Sequence, residues 1–186
     1  MLIIYGGSFN PVTKAHEEIV QILKEQFKNA DILLIPVNKD NYSWKNNLAS
    51  NEDRFNMLNL VFDSNMISKF EFENKDYGGT YKLIEHFKQY DENVYFVIGT
   101  DNLIQMPMWL NYEKLLNCNF ILFERHSDEI PYNLVKKYKG DFKIIKYDNK
   151  ISSTKVRENV LMYKEYVDER VYEYIKEHKL YEVNNV

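Results

Sequence analysis

Two short segments of the chain carry side chains whose types and spacing could manage a phosphate. The first is Gly6-Gly7-Ser8-Phe9-Asn10-Pro11-Val12-Thr13-Lys14-Ala15-His16. Thr13 and His16 stand three residues apart, so on the first turn of a helix they share a face. A hydroxyl, an imidazole N–H and the backbone N–H groups of a glycine turn would place donors around a phosphorus that gains charge during nucleotidyl transfer, without a covalent nucleophile. Spacing alone equally allows a plain strand-to-helix turn, with Thr13 as N-cap and His16 on the surface. The second segment is Ile151-Ser152-Ser153-Thr154-Lys155-Val156-Arg157. Consecutive hydroxyls ahead of an amphipathic run mark a helix N-terminus. Arg157 on that first turn adds a guanidinium fork, and the set matches a polyphosphate. Plain capping is the alternative.

Smaller constellations accompany them. Gly99-Thr100-Asp101-Asn102 follows the apolar run 94–98. An acid at the carboxyl end of a strand is placed to accept from ribose hydroxyls, or else Asp101 caps the next helix. Trp109, after Pro107, either stacks on a planar ring or fills the core. Lys45 and Arg54 could reach an anion or stay solvated. Gly78-Gly79-Thr80-Tyr81 is an ordinary turn or presents backbone N–H groups to a ligand. His86, His126 and His178 read as structural or solvent-facing. No His, Cys and carboxylate spacing suggests a protein-built metal cage, and no serine sits in a G-x-S-x-G elbow.

The elements that must position these residues follow from hydropathy. Leu2-Ile3-Ile4-Tyr5 reads as a buried strand, and Ile19, Val20, Ile22 and Leu23 give the helical spacing that follows the glycine turn. Residues 32–35 form a second strand ended by Pro36. Ser50 and Asp53 make a capping box for a helix burying Phe55, Leu58 and Phe62. Phe70 and Phe72 alternate with charge as in a short strand. Thr80 caps a helix burying Leu83, Ile84 and Phe87. Residues 94–98, 120–123 and 142–145 read as further strands. Helices then start near Ser153 and Val167, the last with Val171, Tyr174, Ile175 and His178 on one face. This alternation predicts an α/β fold: a doubly wound parallel sheet with a helical C-terminal segment, in a single domain over 1–186. Ligands in such sheets bind beyond the carboxyl ends of the strands, where Gly6, Gly7 and Gly99 lie.

Bulk properties narrow the partners. The 186 residues suit one α/β domain with a sizeable core. A net charge of −4 offers no global basic field for nucleic acid or an anionic membrane. The single cysteine, Cys118, excludes an intrachain disulfide and fits a reducing compartment. It heads the apolar run 119–123 and reads as a buried structural thiol. With no secretory h-region and no apolar run of spanning length, the expected location is cytoplasmic.

Taken together, these residues resemble a known family. Gly7-Ser8-Phe9-Asn10-Pro11 with Thr13-Lys14-Ala15-His16 resembles the G-x-F-[DN]-P-x-[HT]-x-G-H motif of the nucleotidylyltransferase superfamily, and 151–157 matches its I-S-S-T-x-x-R motif residue for residue. More closely, the whole chain is similar to bacterial nicotinate-nucleotide adenylyltransferases. Lys45, the E-x-R-x-x-M-L pattern at 52–58, Thr80-Tyr81, Val97-Ile98-Gly99-Thr100-Asp101-Asn102-Leu103, Trp109, and Val171 to Ile175 with Leu180-Tyr181 all fit its segments. Thr13 stands where the family usually has its first histidine, Ala15 where it has glycine, and the customary prolines around Lys45 are missing.

The resemblance implies a Rossmann-like fold and that AMP passes from ATP to nicotinate mononucleotide, giving deamido-NAD and pyrophosphate, with Mg²⁺. It implies that Thr13 and His16 bind the ATP phosphates, with His16 at the α-phosphoryl group. Gly7, Ser8, Phe9 and Ile151 would line the ATP site. Ser153, Thr154 and Arg157 would hold the β- and γ-phosphates, and Gly99 and Asp101 the adenosine. Thr80, Tyr81 and Trp109 would form the pyridine pocket, and Lys45 would lie near the phosphates. It leaves room for a homo-oligomer. Two rivals remain open on sequence: an acceptor such as nicotinamide mononucleotide or another phosphorylated metabolite, and a catalytically silent nucleotide-binding paralogue, against which the joint presence of His16 and Arg157 argues.

Overall fold

The computed structural model describes residues 1–42, 47–75, 78–124 and 131–181. Lys45 and His126 lie outside them. In chain order the elements are β1 (Leu2–Gly7), α1 (Lys14–Gln26), β2 (Asp31–Pro36), α2 (Asn51–Asn59), α3 (Phe70–Glu73), α4 (Gly79–Phe87), β3 (Val94–Gly99), α5 (Thr100–Gln105), α6 (Tyr112–Leu115), β4 (Asn119–Glu124), α7 (Tyr132–Val135), β5 (Phe142–Lys146), α8 (Ser153–Glu158) and α9 (Glu169–Glu177). Short 3-10 turns fall between them. The strands form one parallel sheet in the order β2-β1-β3-β4-β5, flanked by helices. Ile4 aligns with Phe96, Phe96 with Phe120, and Phe120 with Phe142. This is the expected Rossmann-like fold, and the strand order reverses between β1 and β3, the place where such sheets receive ligands.

The chain gathers into two compact units, each assembled from three stretches. One comprises Met1–Gly6, Asn29–Leu33 and Asp76–Asn149; the other comprises Gly7–Lys28, Leu34–Lys75 and Lys150–Val186. In the first, residues 94–98 of β3 are all buried, as its uninterrupted apolar run requires of a central strand. They pack with Phe120, Ile121 and Leu122 of β4 and Leu83 and Ile84 of α4 in the core. Cys118 is buried, as expected, and burial pushes its thiol up. Glycine is required at position 6 of β1 because a Cβ there would come within 2.8 Å of the Phe96 ring. In the second unit, Val20 and Leu23 of α1, Met57 and Leu58 of α2, Val156 of α8 and Val171 and Ile175 of α9 are buried.

Several local expectations are corrected. Residues 70–73 are helical, not extended: Ser68 Oγ accepts from the Phe70 N–H, and the buried side chain is Glu71, which accepts from the Asn38 N–H. The Ser50 cap is present, its hydroxyl accepting from the Asp53 N–H at 3.0 Å. The face of α2 that is buried, however, is Arg54, Met57 and Leu58, with Phe55 and Phe62 only half-buried. Gly78, not Thr80, is the N-cap of α4; Gly78 and Gly79 have φ of 88° and 81°, which L side chains rarely adopt. Leu83 and Ile84 are buried there, and Phe87 is half-buried.

Candidate functional site

In the second unit the loop from Gly7 leads into α1 with Thr13 as N-cap. The His16 ring closes back on that cap: Thr13 N–H donates to His16 Nδ1 at 3.0 Å, and Thr13 Oγ1 lies 2.8 Å from the same nitrogen. This is a capping box with histidine in the place usually taken by Glu or Gln. A backbone N–H can only donate, so Nδ1 is the acceptor and the ring proton sits on Nε2. The turn thereby selects one tautomer and makes Nε2–H the donor. Thr13 is 1% exposed, so its hydroxyl acts on the imidazole and not outward. Phe9 is buried as well, with φ of 45°, its ring 5.1 Å from that of His16; it can offer a ligand only backbone. Ala15 is buried within the helix.

The second motif docks on the first. Ser153 Oγ donates to the Pro11 carbonyl at 2.9 Å, and Arg157 Nη1 donates to the Asn10 carbonyl at 2.7 Å. Arg157 Nη2 reaches Thr154 Oγ1 at 3.2 Å. Ser152 occupies the N-cap position of α8 but makes no side-chain cap bond. The hydroxyls of this segment therefore do more than end a helix. Asn10 is the hub of the arrangement, 2% exposed. Its Nδ2 donates to Asn47 O, and its Oδ1 accepts from Ala49 N–H and Tyr181 O–H.

Arg54, read from sequence as solvated or anion-seeking, is neither. It is wholly buried and donates from Nε to Ala49 O, from Nη1 to Ser8 O, and from Nη2 to Val37 O and Asn51 Oδ1. Burial pulls its ionisation down to about 10, with Tyr181 and Glu71 acting the other way. Asn10, Arg54 and Tyr181 are the residues sequence reasoning undervalued. The one available signal was that Arg54 shares a helical face with Met57 and Leu58, where a charged residue implies waiting carbonyls.

The remaining candidates belong to the first unit. Gly99 precedes α5, and Asn102, not Asp101, supplies the reciprocal cap by accepting from the Gly99 N–H at 3.2 Å. Asp101 is exposed, with Oδ1 so near Gly99 that a Cβ there would sit 2.7 Å from it. The α4 N-terminus, where Thr80 and Tyr81 lie, has no side-chain cap. Asn111 Nδ2 reaches Gly78 O at 3.4 Å, and a Cβ on Gly79 would meet Leu110 at 3.4 Å, so the glycine turn and the segment carrying Trp109 lie together. Trp109 is half-buried. Among the described residues no three His, Cys, Asp or Glu side chains gather to hold a metal ion, and no helix is long and apolar enough to cross a membrane.

The sequence pattern of the Cytidylyltransferase-like family matches residues 4–159. A protein of Acholeplasma laidlawii named "Probable nicotinate-nucleotide adenylyltransferase" is 37% identical over 98% of this chain and 98% of its own. The chain belongs to the cytidylyltransferase-like family, in its nicotinate-nucleotide adenylyltransferase branch. It is a nucleotidyltransferase. A similarly named protein of Clostridium botulinum is 29% identical over 96% of this chain and 97% of its own. Two solved structures of the Plasmodium falciparum nicotinic acid mononucleotide adenylyltransferase, complexed with APC and with NaAD, superpose with TM-scores of 0.81 and 0.80. Each is 25% identical and covers 98% of both chains. Membership in this branch accounts for the two motifs occurring together.

Proposed function

We propose that the protein transfers AMP from ATP to nicotinate mononucleotide, releasing deamido-NAD and pyrophosphate in NAD biosynthesis. The observation that carries this reading is the docking of Ser153 and Arg157 on the Pro11 and Asn10 carbonyls, beside the helix start that orients His16. A phosphate oxygen of the mononucleotide attacks the α-phosphorus of ATP, and the bond from that phosphorus to the bridging oxygen breaks. His16 Nε2–H donates to the α-phosphoryl oxygens as they gain charge, and Thr13 holds the ring for that task. Arg157, with Ser153 and Thr154, receives the charge that builds on the departing pyrophosphate. Gly7, Ser8, Phe9 and Ile151 contribute backbone and walls to the ATP site, and Gly99 and Asp101 serve the adenosine.

The pyridine carboxylate is assigned to the α4 N-terminus. Its uncapped N–H groups around Thr80 and Tyr81 favour an anion, and the Trp109 indole nearby suits a planar ring. Lys45 serves the phosphates in this reading. A magnesium ion would be carried by the triphosphate, since among the described residues no three His, Cys, Asp or Glu side chains gather to hold one. When bound it supplies neutralisation of phosphate charge; the donors of this chain add to it. The net charge of −4 favours small nucleotides over nucleic acid as ligands. The buried Cys118 is compatible with a cytoplasmic enzyme.

The test is turnover of the acid and the amide mononucleotides side by side, with ATP and Mg²⁺, following pyrophosphate. The acid is expected to be preferred, since an amide needs an acceptor as well as donors. Equal turnover would reject the carboxylate assignment. His16→Ala should lower kcat by at least about a hundredfold; a variant with wild-type turnover removes His16 from the chemistry.

A further inference from the structure

Tyr181 lies beyond α9, where the chain reverses. Lys179 takes a left-handed φ of 50°, and Leu180 N–H returns to Ile175 O at 2.9 Å, closing the helix end. Tyr181 itself has φ of 62°, a conformation non-glycine residues adopt only when their surroundings hold them. The result is a phenol placed against the loop before α1, where its O–H donates to Asn10 Oδ1 at 2.8 Å. Asn10 Oδ1 also accepts from Ala49 N–H, and Asn10 Nδ2 is spent on Asn47 O, so every polar group of this side chain is tied. What the tied residue then presents is its backbone carbonyl, and that carbonyl accepts from Arg157 Nη1.

We propose that Tyr181 is a positioning residue for Arg157, acting through Asn10: it holds the Asn10 carbonyl where it aims the guanidinium at the departing phosphates. The proposal rests on the reading that Arg157 binds those phosphates. Arg157 spends one N–H on Asn10 O and one on Thr154 Oγ1, and a guanidinium carries five, so its orientation decides how the others face a ligand. Tyr181 also lies close enough to both Arg157 and Arg54 to feel their charges, while burial keeps its phenol protonated and hence a donor. Tyr181 therefore reaches the loop before α1 directly.

The experiment is a double-mutant cycle with Tyr181→Phe, Arg157→Ala and the pair, read by calorimetric binding of inorganic pyrophosphate and by kcat/KM for ATP. Tyr181→Phe keeps the ring and removes one hydrogen bond. It should weaken pyrophosphate binding and lower kcat/KM for ATP by about three- to tenfold, with the mononucleotide KM unchanged. In the Arg157→Ala background the same change should have no further effect. An equal factor in both backgrounds, or no effect in the first, overturns the proposal. A second measurement needs no Tyr181 variant: the NMR signal of the Tyr181 ring should shift when pyrophosphate is added to the wild type, and stay fixed in Arg157→Ala. A wild-type signal that does not move also overturns it. Protein that binds pyrophosphate through this pair yet fails to adenylylate nicotinate mononucleotide would sink the functional reading and leave the Tyr181 proposal standing.

Discussion

Arg54→Met tests whether a buried guanidinium organises the site. Methionine is close in length and apolar, so it refills the space without the donors. The Ser8, Val37 and Ala49 carbonyls each lose their Arg54 partner, whereas Asn51 Oδ1 keeps the Lys39 N–H at 2.9 Å. Losing a charged donor at three carbonyls, one buried and two part-buried, at about 2 kcal/mol apiece comes to about 6 kcal/mol. Against this, the substitution ends the desolvation that pulls the guanidinium down to about 10, which returns about 3 kcal/mol. The net loss is about 3 kcal/mol, a large share of an ordinary domain's stability. Urea unfolding followed by circular dichroism should show that loss with little change in slope. Activity should fall too, even at temperatures where the variant is folded. Arg54 braces Ala49 O, Ala49 N–H braces Asn10, and Asn10 O braces Arg157. We expect kcat/KM down by at least about tenfold. Arg54→Lys should fall between the two, because one ammonium cannot span four acceptors in the guanidinium's plane. A methionine variant within about 1 kcal/mol of wild type would refute the hydrogen-bond reckoning. One that is destabilised but has intact kcat/KM would refute the link from Arg54 to the site.

Three further outcomes are expected. Thr13→Val keeps the shape and removes the hydroxyl 2.8 Å from His16 Nδ1; kcat should drop about three- to tenfold while Thr13→Ser stays near wild type, and unchanged kcat in the valine variant would mean the backbone N–H alone orients the ring. Burial, then the nearby Asp168, raises the Glu17 carboxyl above its ordinary value. The folded state thus favours the protonated form, and wild type gives up stability as pH rises through the raised value. Glu17→Gln should melt higher than wild type at pH 7, with the difference vanishing below about pH 4; a constant difference across that range would contradict it. Gly140→Ala drives a Cβ into the Cys118 carbonyl, so it should cost about 1–3 kcal/mol in urea unfolding with kcat preserved at permissive temperature, and a neutral melt would show that this backbone gives way.

Much of this was legible without coordinates, for reasons that are local. Uninterrupted apolar runs at 94–98 and 120–123 can only be buried on both faces, so the central strands declared themselves. Glycine at 6 and 7 ahead of Thr13 and His16, and hydroxyls ahead of Arg157, are short-range patterns whose geometry is decided within one turn. Even the Ser50 cap could be read residue by residue. Where long-range partners decide, the reading failed. Phe70 and Phe72 alternate with charge like a strand, yet Ser68 and the Asn38–Glu71 bonds favour a helical turn. Phe55 and Phe62 looked like the buried face of α2, but Arg54 took that place because three carbonyls from separated segments converge on it.

The sequence by itself determined the strand–helix alternation, the helix starts after Thr13 and Ser152, and the types of polar group gathered at them. The tertiary structure alone decided which of those groups are working surface and which are scaffold. Thr13 was turned inward onto His16, and Asn10 was made the junction of Asn47, Ala49, Arg157 and Tyr181. The physical reason is that a buried donor or acceptor must be matched. Its partner is whichever carbonyl or hydroxyl the fold delivers, here from residues up to 171 positions away, and no local pattern encodes that delivery.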